Sequence, residues 1–277
     1  MTVPLVKTSV RHELLRTYGN LPDHPMKLRL YDWCKSSHFF RHARVEFAYG
    51  KFNLDLVDFV QHEMFLHGCY EPATLALFET LVRPGDRIVD VGANVGQYAI
   101  AAARLSGSGG RVVAVEPNPQ IGSRLIDNVR MNNLEDRIAI VTSPMSDCAA
   151  MLAFGLPGPW ALGTTRLKRP GETGGFVVLS STIADLITQL NLDRIDVLKI
   201  DVEGHDMKVI DGALTHSSVR PKHIVFEYLH ESFDYGIEAH NIPGHFSKHG
   251  YELSTIDGAP FSVGRELPEG NLWARRL

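Results

Sequence analysis

The sequence predicts an α/β fold in which a mostly parallel, doubly wound sheet ends in an antiparallel hairpin. Short apolar runs alternate with helix-length segments from residue 86 onward, a rhythm typical of parallel sheets covered by helices. The first of these runs, Arg87–Val91, leads into a turn with two glycines. Two late apolar runs, at residues 251–255 and 271–275, follow the last expected helix and predict the hairpin.

The elements are expected in a regular order along the chain. Before residue 86, the pattern predicts a hairpin over residues 45–56 and helices over residues 56–66 and 73–82. The parallel strands are expected at residues 87–91, 111–116, 137–141, 196–200 and 223–227. The helices that cover them are expected at residues 95–105, 119–132, 183–190, 206–214 and 242–248. We divide the chain into an N-terminal extension, residues 1–50, and one domain, residues 51–277.

Composition excludes several classes of function. The 277-residue chain carries a net charge of −4 and has no basic stripe, which argues against a nucleic-acid partner. Its three cysteines have no paired spacing and form neither a disulfide framework nor a zinc site. No apolar run reaches the roughly 18 residues of a membrane span, and residues 1–16 do not resemble a signal peptide. We therefore expect a cytoplasmic protein that acts on a small molecule.

The glycine-containing turn has the form Asp90-x-Gly92-x-Asn94-x-Gly96. It links a strand to a helix N-terminus, where unpaired N–H groups and close backbone approach favour ligand binding. A second acidic residue, Glu116, ends the next strand, where a carboxylate commonly accepts hydrogen bonds from ribose hydroxyls. A dinucleotide fingerprint would place glycine at position 94. The turn resembles motif I of the class I S-adenosylmethionine (SAM) methyltransferases.

Further stretches resemble one family of such enzymes, the FkbM family. They are residues 68–72 (GCYEP), 90–96 (DVGANVG), 115–119 (VEPNP), Asn128, 132–134 (NNL), 145–147 (MSD) and 199–205 (KIDVEGH). The last is the most specific, because motif I is shared by many methyltransferase families. The resemblance covers roughly residues 52–228, and it is weak outside them.

The resemblance implies a Rossmann-like fold and methyl transfer from SAM, usually to an oxygen of a natural product, a sugar or a lipid head group. The implied cofactor contacts flank the methionine part, the ribose and the adenine. By position they are Asp90, Gly92, Asn94 and Gly96 for methionine, Glu116 with Asn118 for ribose, and Ser146 with Asp147 for adenine. Glu71 could reach the cofactor's ammonium, or it could be only a carboxylate at the start of a helix.

The catalytic candidates follow the fourth parallel strand. A hydroxyl or amine acceptor must lose a proton and a carboxylate acceptor need not, so a base is expected only for the first two. Asp201 and His205 are the candidate bases, and Lys199 could polarise an acceptor oxygen or hold Asp201. The alternatives are a structural Lys199–Asp201 ion pair and a surface histidine at a helix start. Mg²⁺ held by Asp201, Glu227 and His230 is less favoured than metal-free catalysis.

The function that these expectations support is O-methylation of a small natural product, sugar or glycolipid. Alternatives are N- or carboxyl-methylation of a peptide or acid, and a SAM-fold binding protein without catalysis. Residues 160–175 form a candidate substrate lid whose Arg166, Lys168 and Arg169 would favour an anionic or polyhydroxylated acceptor; a solvated basic loop is the alternative. An aromatic-rich N-terminal segment leaves a homo-oligomer open.

Overall fold

The structure is a computed structural model. It describes residues 7–228, 242–261 and 270–277, apart from residues 23, 25, 157, 159, 170 and 216 and the side chain of residue 28. His230, one of the metal ligands considered above, lies outside the described residues. Among the helices in these ranges, none is long and apolar enough to cross a membrane.

A seven-stranded sheet forms the centre of the fold and confirms the predicted architecture. Its strand order is β10-β11-β9-β8-β3-β4-β5, and the five strands from β9 to β5 are parallel. Only β11 runs against its neighbours, which makes β10 and β11 the terminal antiparallel hairpin. The strands are β3 Arg87–Val91, β4 Arg111–Val115, β5 Ile138–Val141, β8 Val197–Ile200, β9 His223–Tyr228, β10 Tyr251–Thr255 and β11 Gly270–Arg276.

Helices follow the parallel strands in alternation, as expected. They are α5 Gln97–Leu105, α6 Pro119–Met131, α7 Ile183–Leu190, α8 Asp206–Thr215 and α9 Ile242–Lys248. The two apolar runs β6 Met151–Phe154 and β7 Phe176–Leu179 pair with each other as a separate two-stranded sheet. The long connection between them contains a short 3-10 helix, Leu162–Thr164.

The N-terminal part packs against the same core. It consists of helices α1 Val10–Gly19 and α2 Lys27–Ser36, the hairpin of β1 His42–Phe47 and β2 Gly50–Asp55, and helices α3 Phe59–His67 and α4 Pro72–Leu81. Asn128 of α6 and Asn132, which caps the end of that helix, complete the edge of β2. Asn128 accepts from Asn53 N at 2.7 Å, and Asn132 accepts from Lys51 N at 2.9 Å. The hairpin thus spans residue 50, and the boundary drawn there remains a prediction.

The chain leaves β3 toward β4 on one side of the sheet, whereas β8 lies on the other side. Such a reversal of strand order opens a crevice at the carboxyl ends of the strands, where ligands bind in doubly wound sheets. The turns that follow β3 and β8 therefore border the crevice. They contain the Asp90–Gly96 motif and Asp201, respectively.

Candidate active site

Gly92 allows these two turns to touch. Its φ is +82°, and a Cβ atom on it would lie 1.8 Å from the carbonyl oxygen of Asp201. Any side chain at this position would push the two turns apart, because Cβ contacts below 3.0 Å are essentially absent from real structures. Gly96 has a φ of +98° and packs closely on Leu125 of α6. Both glycines are therefore required by packing as well as by any ligand.

Two adjoining cavities open at this crevice. The first is lined by residues from the ends of β3, β4 and β8 and from the connection between β6 and β7, among them Glu116, Met145, Phe154 and His205. The second is lined by residues of α3 and α5, by the turn before α5 and by β8. These residues include Met64, Asn94, Gln97, Tyr98 and Lys199. Four residues line both cavities, namely Gly92, Gly163, Asp201 and Glu203. An elongated ligand that fills both cavities would pass these four residues.

Glu116 lies in the first cavity with its carboxylate held by the backbone. One oxygen accepts from Asn94 N at 3.0 Å and the other from Asn118 N at 2.8 Å. Burial raises the pKa of Glu116 to about 7, against the effect of these two hydrogen bonds. Each carboxylate oxygen has a second lone pair that can accept from a ligand hydroxyl. The arrangement fits a ribose.

The 3-10 helix Leu162–Thr164 lies across both cavities and is tied to three parts of the chain. Gly163 N donates to Asp58 at 2.7 Å, and its carbonyl accepts from the Asn94 side chain at 3.1 Å. The Asn118 amide donates to Leu162 O at 3.3 Å. Asn118 also caps α6 and does not line either cavity, so its side chain supports the loop.

A buried chain of polar contacts lies along the second cavity. Lys199, 1% exposed, contacts Asp201 at 3.0 Å, and its ammonium lies 4.3 Å from the centre of the Tyr98 ring. The Tyr98 hydroxyl donates to Glu71 at 3.3 Å. Burial alone would lower the pKa of Lys199, but Asp201, Asp90 and Glu71 together raise it. Lys199 is therefore a permanent cation that holds Asp201.

Carboxyl groups outnumber cations around the crevice. Burial is the main cause that raises the pKa of five acids. They are Glu71, Asp90 (to about 6), Asp206 (to about 7), Glu203 (to about 8) and Glu227 (to about 10). In the part of the chain that is described, neither oxygen of Asp90 has a hydrogen-bond partner that meets the usual distance and angle limits. Such a cluster fits a ligand that brings positive charge.

Two of these acids also have strained backbones. Glu71 has a φ of +49° and Glu203 a φ of +54°, a left-handed conformation that glutamate rarely adopts. Asn94 in the glycine turn shares it, with a φ of +49°. Strain of this kind costs on the order of 1–3 kcal/mol per residue and clusters at functional sites. It supports the assignment of the crevice as the functional site.

His205 lies at the opposite end of the crevice from Lys199. Its Nε2 is 3.0 Å from the Ser146 hydroxyl, which donates to Asp147 at 3.1 Å. Lys208 contacts Asp147 at 2.8 Å and lowers the pKa of that carboxyl to about 2. Burial lowers the pKa of His205 to about 4, so the ring is neutral at pH 7. The structure thus groups His205 with the expected adenine contacts, and its role as a base remains a prediction.

The metal alternative finds no support. Within the described ranges, no group of three or more His, Cys, Asp or Glu side chains has the arrangement to hold a metal ion. The expected cofactor does fit the crevice. The first cavity, with Glu116 as an acceptor for hydroxyls, suits a nucleoside, and the acids at and beyond its junction with the second cavity suit a sulfonium and an ammonium.

The charge expected in the lid is partly neutralised. Arg166 contacts Glu172 at 2.6 Å, so residues 160–175 present less free positive charge than the sequence suggests. The lid role remains a prediction.

Sequence reasoning missed three residues that shape the site. Asp58 anchors the 3-10 helix and also caps α3. Gln97 clamps Tyr70, since its amide accepts from Tyr70 N at 2.7 Å and donates to Tyr70 O at 2.8 Å. Tyr98 binds Glu71. An aspartate three residues before a glutamine is a signal for a helix start and could have identified Asp58, whereas nothing in the sequence marks the other two.

The chain is similar to known methyltransferases. The family model of the methyltransferase FkbM domain matches residues 90–253. Sequence identity is 28% over 206 residues with the 31-O-demethyl-FK506 methyltransferase FkbM of Streptomyces tacrolimicus, covering 63% of this chain and 75% of that protein. It is 27% over 183 residues with methyltransferase sdnD of Sordaria araneosa, covering 56% and 68%.

A third relative is much longer than this chain. The AMB antimetabolite synthetase AmbE of Pseudomonas aeruginosa is 26% identical over 241 residues, which cover 73% of this chain and only 11% of that protein. The matched domain is therefore one part of AmbE. Because the family model covers more than half of the chain and fits the sheet and crevice described above, the chain belongs to the FkbM methyltransferase domain family and uses SAM as its cofactor.

Proposed function

We propose that this protein methylates a hydroxyl oxygen of a small natural product, sugar or glycolipid. The observation that carries the proposal is the position of Asp201, which lines both cavities and is held by Lys199 at 3.0 Å. A carboxylate fixed at the junction of a cofactor crevice can accept the proton that an acceptor hydroxyl loses. The 31-O-demethyl-FK506 methyltransferase among the relatives acts on an oxygen by its name, which agrees with the proposal.

The cofactor supplies an electrophilic methyl group on a sulfonium. The residues of this chain orient and deprotonate the acceptor. Lys199 holds Asp201 in place through their contact at 3.0 Å. The 3-10 helix Leu162–Thr164 covers the junction and excludes water, which would otherwise compete for the base. The proposed cofactor contacts are those of the sequence analysis, with Glu116 on the ribose, except that the Asn118 side chain holds the 3-10 helix.

The test is a screen of hydroxyl-bearing acceptors for a mass gain of one methyl group, with wild type and Asp201→Asn in parallel. The substitution keeps the shape of the side chain and removes its basicity. We expect kcat to fall about 100-fold or more, from the lower end of the range for loss of a general base upward, with binding of SAH retained. Asp136→Asn, at an exposed position after α6, is the matched control.

Two other outcomes would replace the proposal. Full activity of Asp201→Asn on an acid would indicate carboxyl methylation, which needs no base. Cofactor binding without turnover across a broad acceptor screen would indicate a binding protein. N-methylation would be recognised by the position of the methyl group in the product. A homo-oligomer remains open and is measured by sedimentation of the purified chain.

A further inference from the structure

Two acids of the crevice lie where the two cavities join. Asp201 and Glu203 are the only ionisable residues, among those described, that line both cavities. SAM consists of a nucleoside and an amino acid joined at the sulfonium, and the two cavities suit these two parts. The junction between the cavities therefore corresponds to the charged sulfur. This inference rests on the proposed use of the crevice by SAM.

The methyl donor and its product differ in charge at the sulfur atom. SAM carries a positive charge on sulfur, whereas S-adenosylhomocysteine (SAH), the product after methyl loss, carries none there. All other groups of the two molecules are the same. A carboxylate at the junction attracts SAM and gives SAH no corresponding gain, since the Coulomb energy depends on the charge it meets.

We propose that Glu203 selects SAM over SAH by its charge, so that ionised Glu203 retains the substrate and favours release of the product. Glu203 lines both cavities, and its own backbone is left-handed, with a φ of +54°. Burial is the main cause of its raised pKa, so its carboxyl group is largely shielded from solvent. Glu203 acts as a specificity-determining residue for the cofactor.

Several charged groups act on Glu203. They are Asp201 and Asp206 from its own loop and helix, Glu71 before α4, Glu227 on β9, and Arg166 from the β6–β7 connection. Arg166 opposes burial and the other acids, and the net effect raises the pKa of Glu203 to about 8. Near pH 7 the group is mostly protonated without a ligand. A sulfonium beside it favours the ionised form and expels the proton.

The selection consequently depends on pH, with a definite sign. Below the pKa of Glu203, SAM must displace a proton to gain the attraction; above it, the carboxylate is already charged. The ratio of SAM affinity to SAH affinity therefore rises with pH. A shift of one unit in the pKa of Glu203 on SAM binding corresponds to a tenfold change in that ratio.

The experiment is calorimetric titration of the wild-type chain with SAM, SAH and sinefungin, which has an amine in place of the methylsulfonium. We expect the SAM to SAH affinity ratio to rise about tenfold between roughly pH 6 and pH 8.5. Sinefungin should follow SAM. Repeating the titrations near pH 7 in buffers of different ionisation enthalpy should detect proton release with SAM and sinefungin and much less with SAH.

Glu203→Gln tests the residue itself. Glutamine has backbone preferences and a side-chain size similar to those of glutamate, but it cannot ionise. The affinity ratio should become independent of pH, while SAH affinity stays within about threefold of wild type, because no charge on SAH meets the group. Glu252→Gln, an exposed β10 residue, is the matched control and should behave as wild type.

A ratio that does not change with pH in wild type, or a pH-dependent ratio that persists in Glu203→Gln, would overturn the inference and leave SAM binding intact. If Glu203→Gln failed to fold, proton release in wild type would still decide the matter: equal release with SAM and SAH overturns the inference. Absence of binding by all three ligands would overturn the proposed function as well.

Discussion

Replacing Glu116 by glutamine should weaken ligand binding while changing the free energy of unfolding little. In the folded chain each oxygen of Glu116 accepts from one backbone N–H, of Asn94 at 3.0 Å and of Asn118 at 2.8 Å. An amide leaves one of these donors facing an NH₂ group, which costs about 1–3 kcal/mol. It also removes a buried charge. The pKa of Glu116, raised by burial from 4.5 to about 7, puts the cost of that charge at about 3 kcal/mol near neutral pH.

These two effects on folding are of similar size and opposite sign. The free energy of unfolding of Glu116→Gln should therefore lie within about 2 kcal/mol of wild type. Ligand binding has no such compensation, because the ribose hydroxyls lose a charged acceptor. A hydrogen bond to a charged group contributes about 1.5–3 kcal/mol, so SAH affinity should fall about 10- to 150-fold.

The assays are calorimetric titration with SAH and guanidinium unfolding on the same preparations. Glu135→Gln serves as the control, since Glu135 is exposed beyond α6. Binding of SAH by Glu116→Gln within twofold of wild type would refute the contact between Glu116 and the ribose. Unchanged binding would mean that Glu116 only organises the turns around it.

Two further predictions concern stability. Gly92→Ala should destabilise the fold by at least about 3 kcal/mol, because its Cβ would collide with the Asp201 carbonyl, whereas Gly85→Ala, with a similar φ of +86° and open space, should cost only about 1 kcal/mol in guanidinium unfolding. Without ligand, stability should fall by about 1–2 kcal/mol per unit as pH rises from about 7 to 8.5, since Glu203 and Glu227 hold protons in the folded state that they have lost in the unfolded one. This pH range lies above the ordinary pKa of histidine, so the buried histidines add no opposing change. If thermal unfolding showed a stability that rises with pH in this range, the assigned burial of Glu203 and Glu227 would be contradicted.

The parallel sheet was predictable because glycine and proline mark its boundaries. Arg87–Val91 and Ile183–Leu190 have the expected bounds. Helix α5 begins at Gln97 and not at residue 95, because Gly96 adopts a left-handed conformation that the helix cannot include. A conformation of this kind follows from packing and has no signature in the residue pattern.

The N-terminal helices α1 and α2 were not predicted. Few of their residues are buried, among them Leu15 and Tyr31, and large apolar side chains such as Trp33 remain exposed, so the periodicity that identifies an amphipathic helix is weak. Within the site, the sequence identified Glu116 and Asp201 but could not group residues by cavity. Lys199 lies in β8 and His205 in the loop that follows it, and the path of that loop, which only the folded chain determines, separates the two residues.

The hydrogen bonds of Gly163 have a consequence for the order of events in turnover. Both its N–H and its carbonyl are engaged, by Asp58 and Asn94, directly over the junction of the two cavities. A ligand that fills both cavities lies against Gly163, and we call the two hydrogen bonds that hold this residue the latch. We therefore expect the dwell time of the spent cofactor to be set by how often the latch opens, and the pace of repeated cycles to respond to changes at Asp58 that leave the reacting groups untouched.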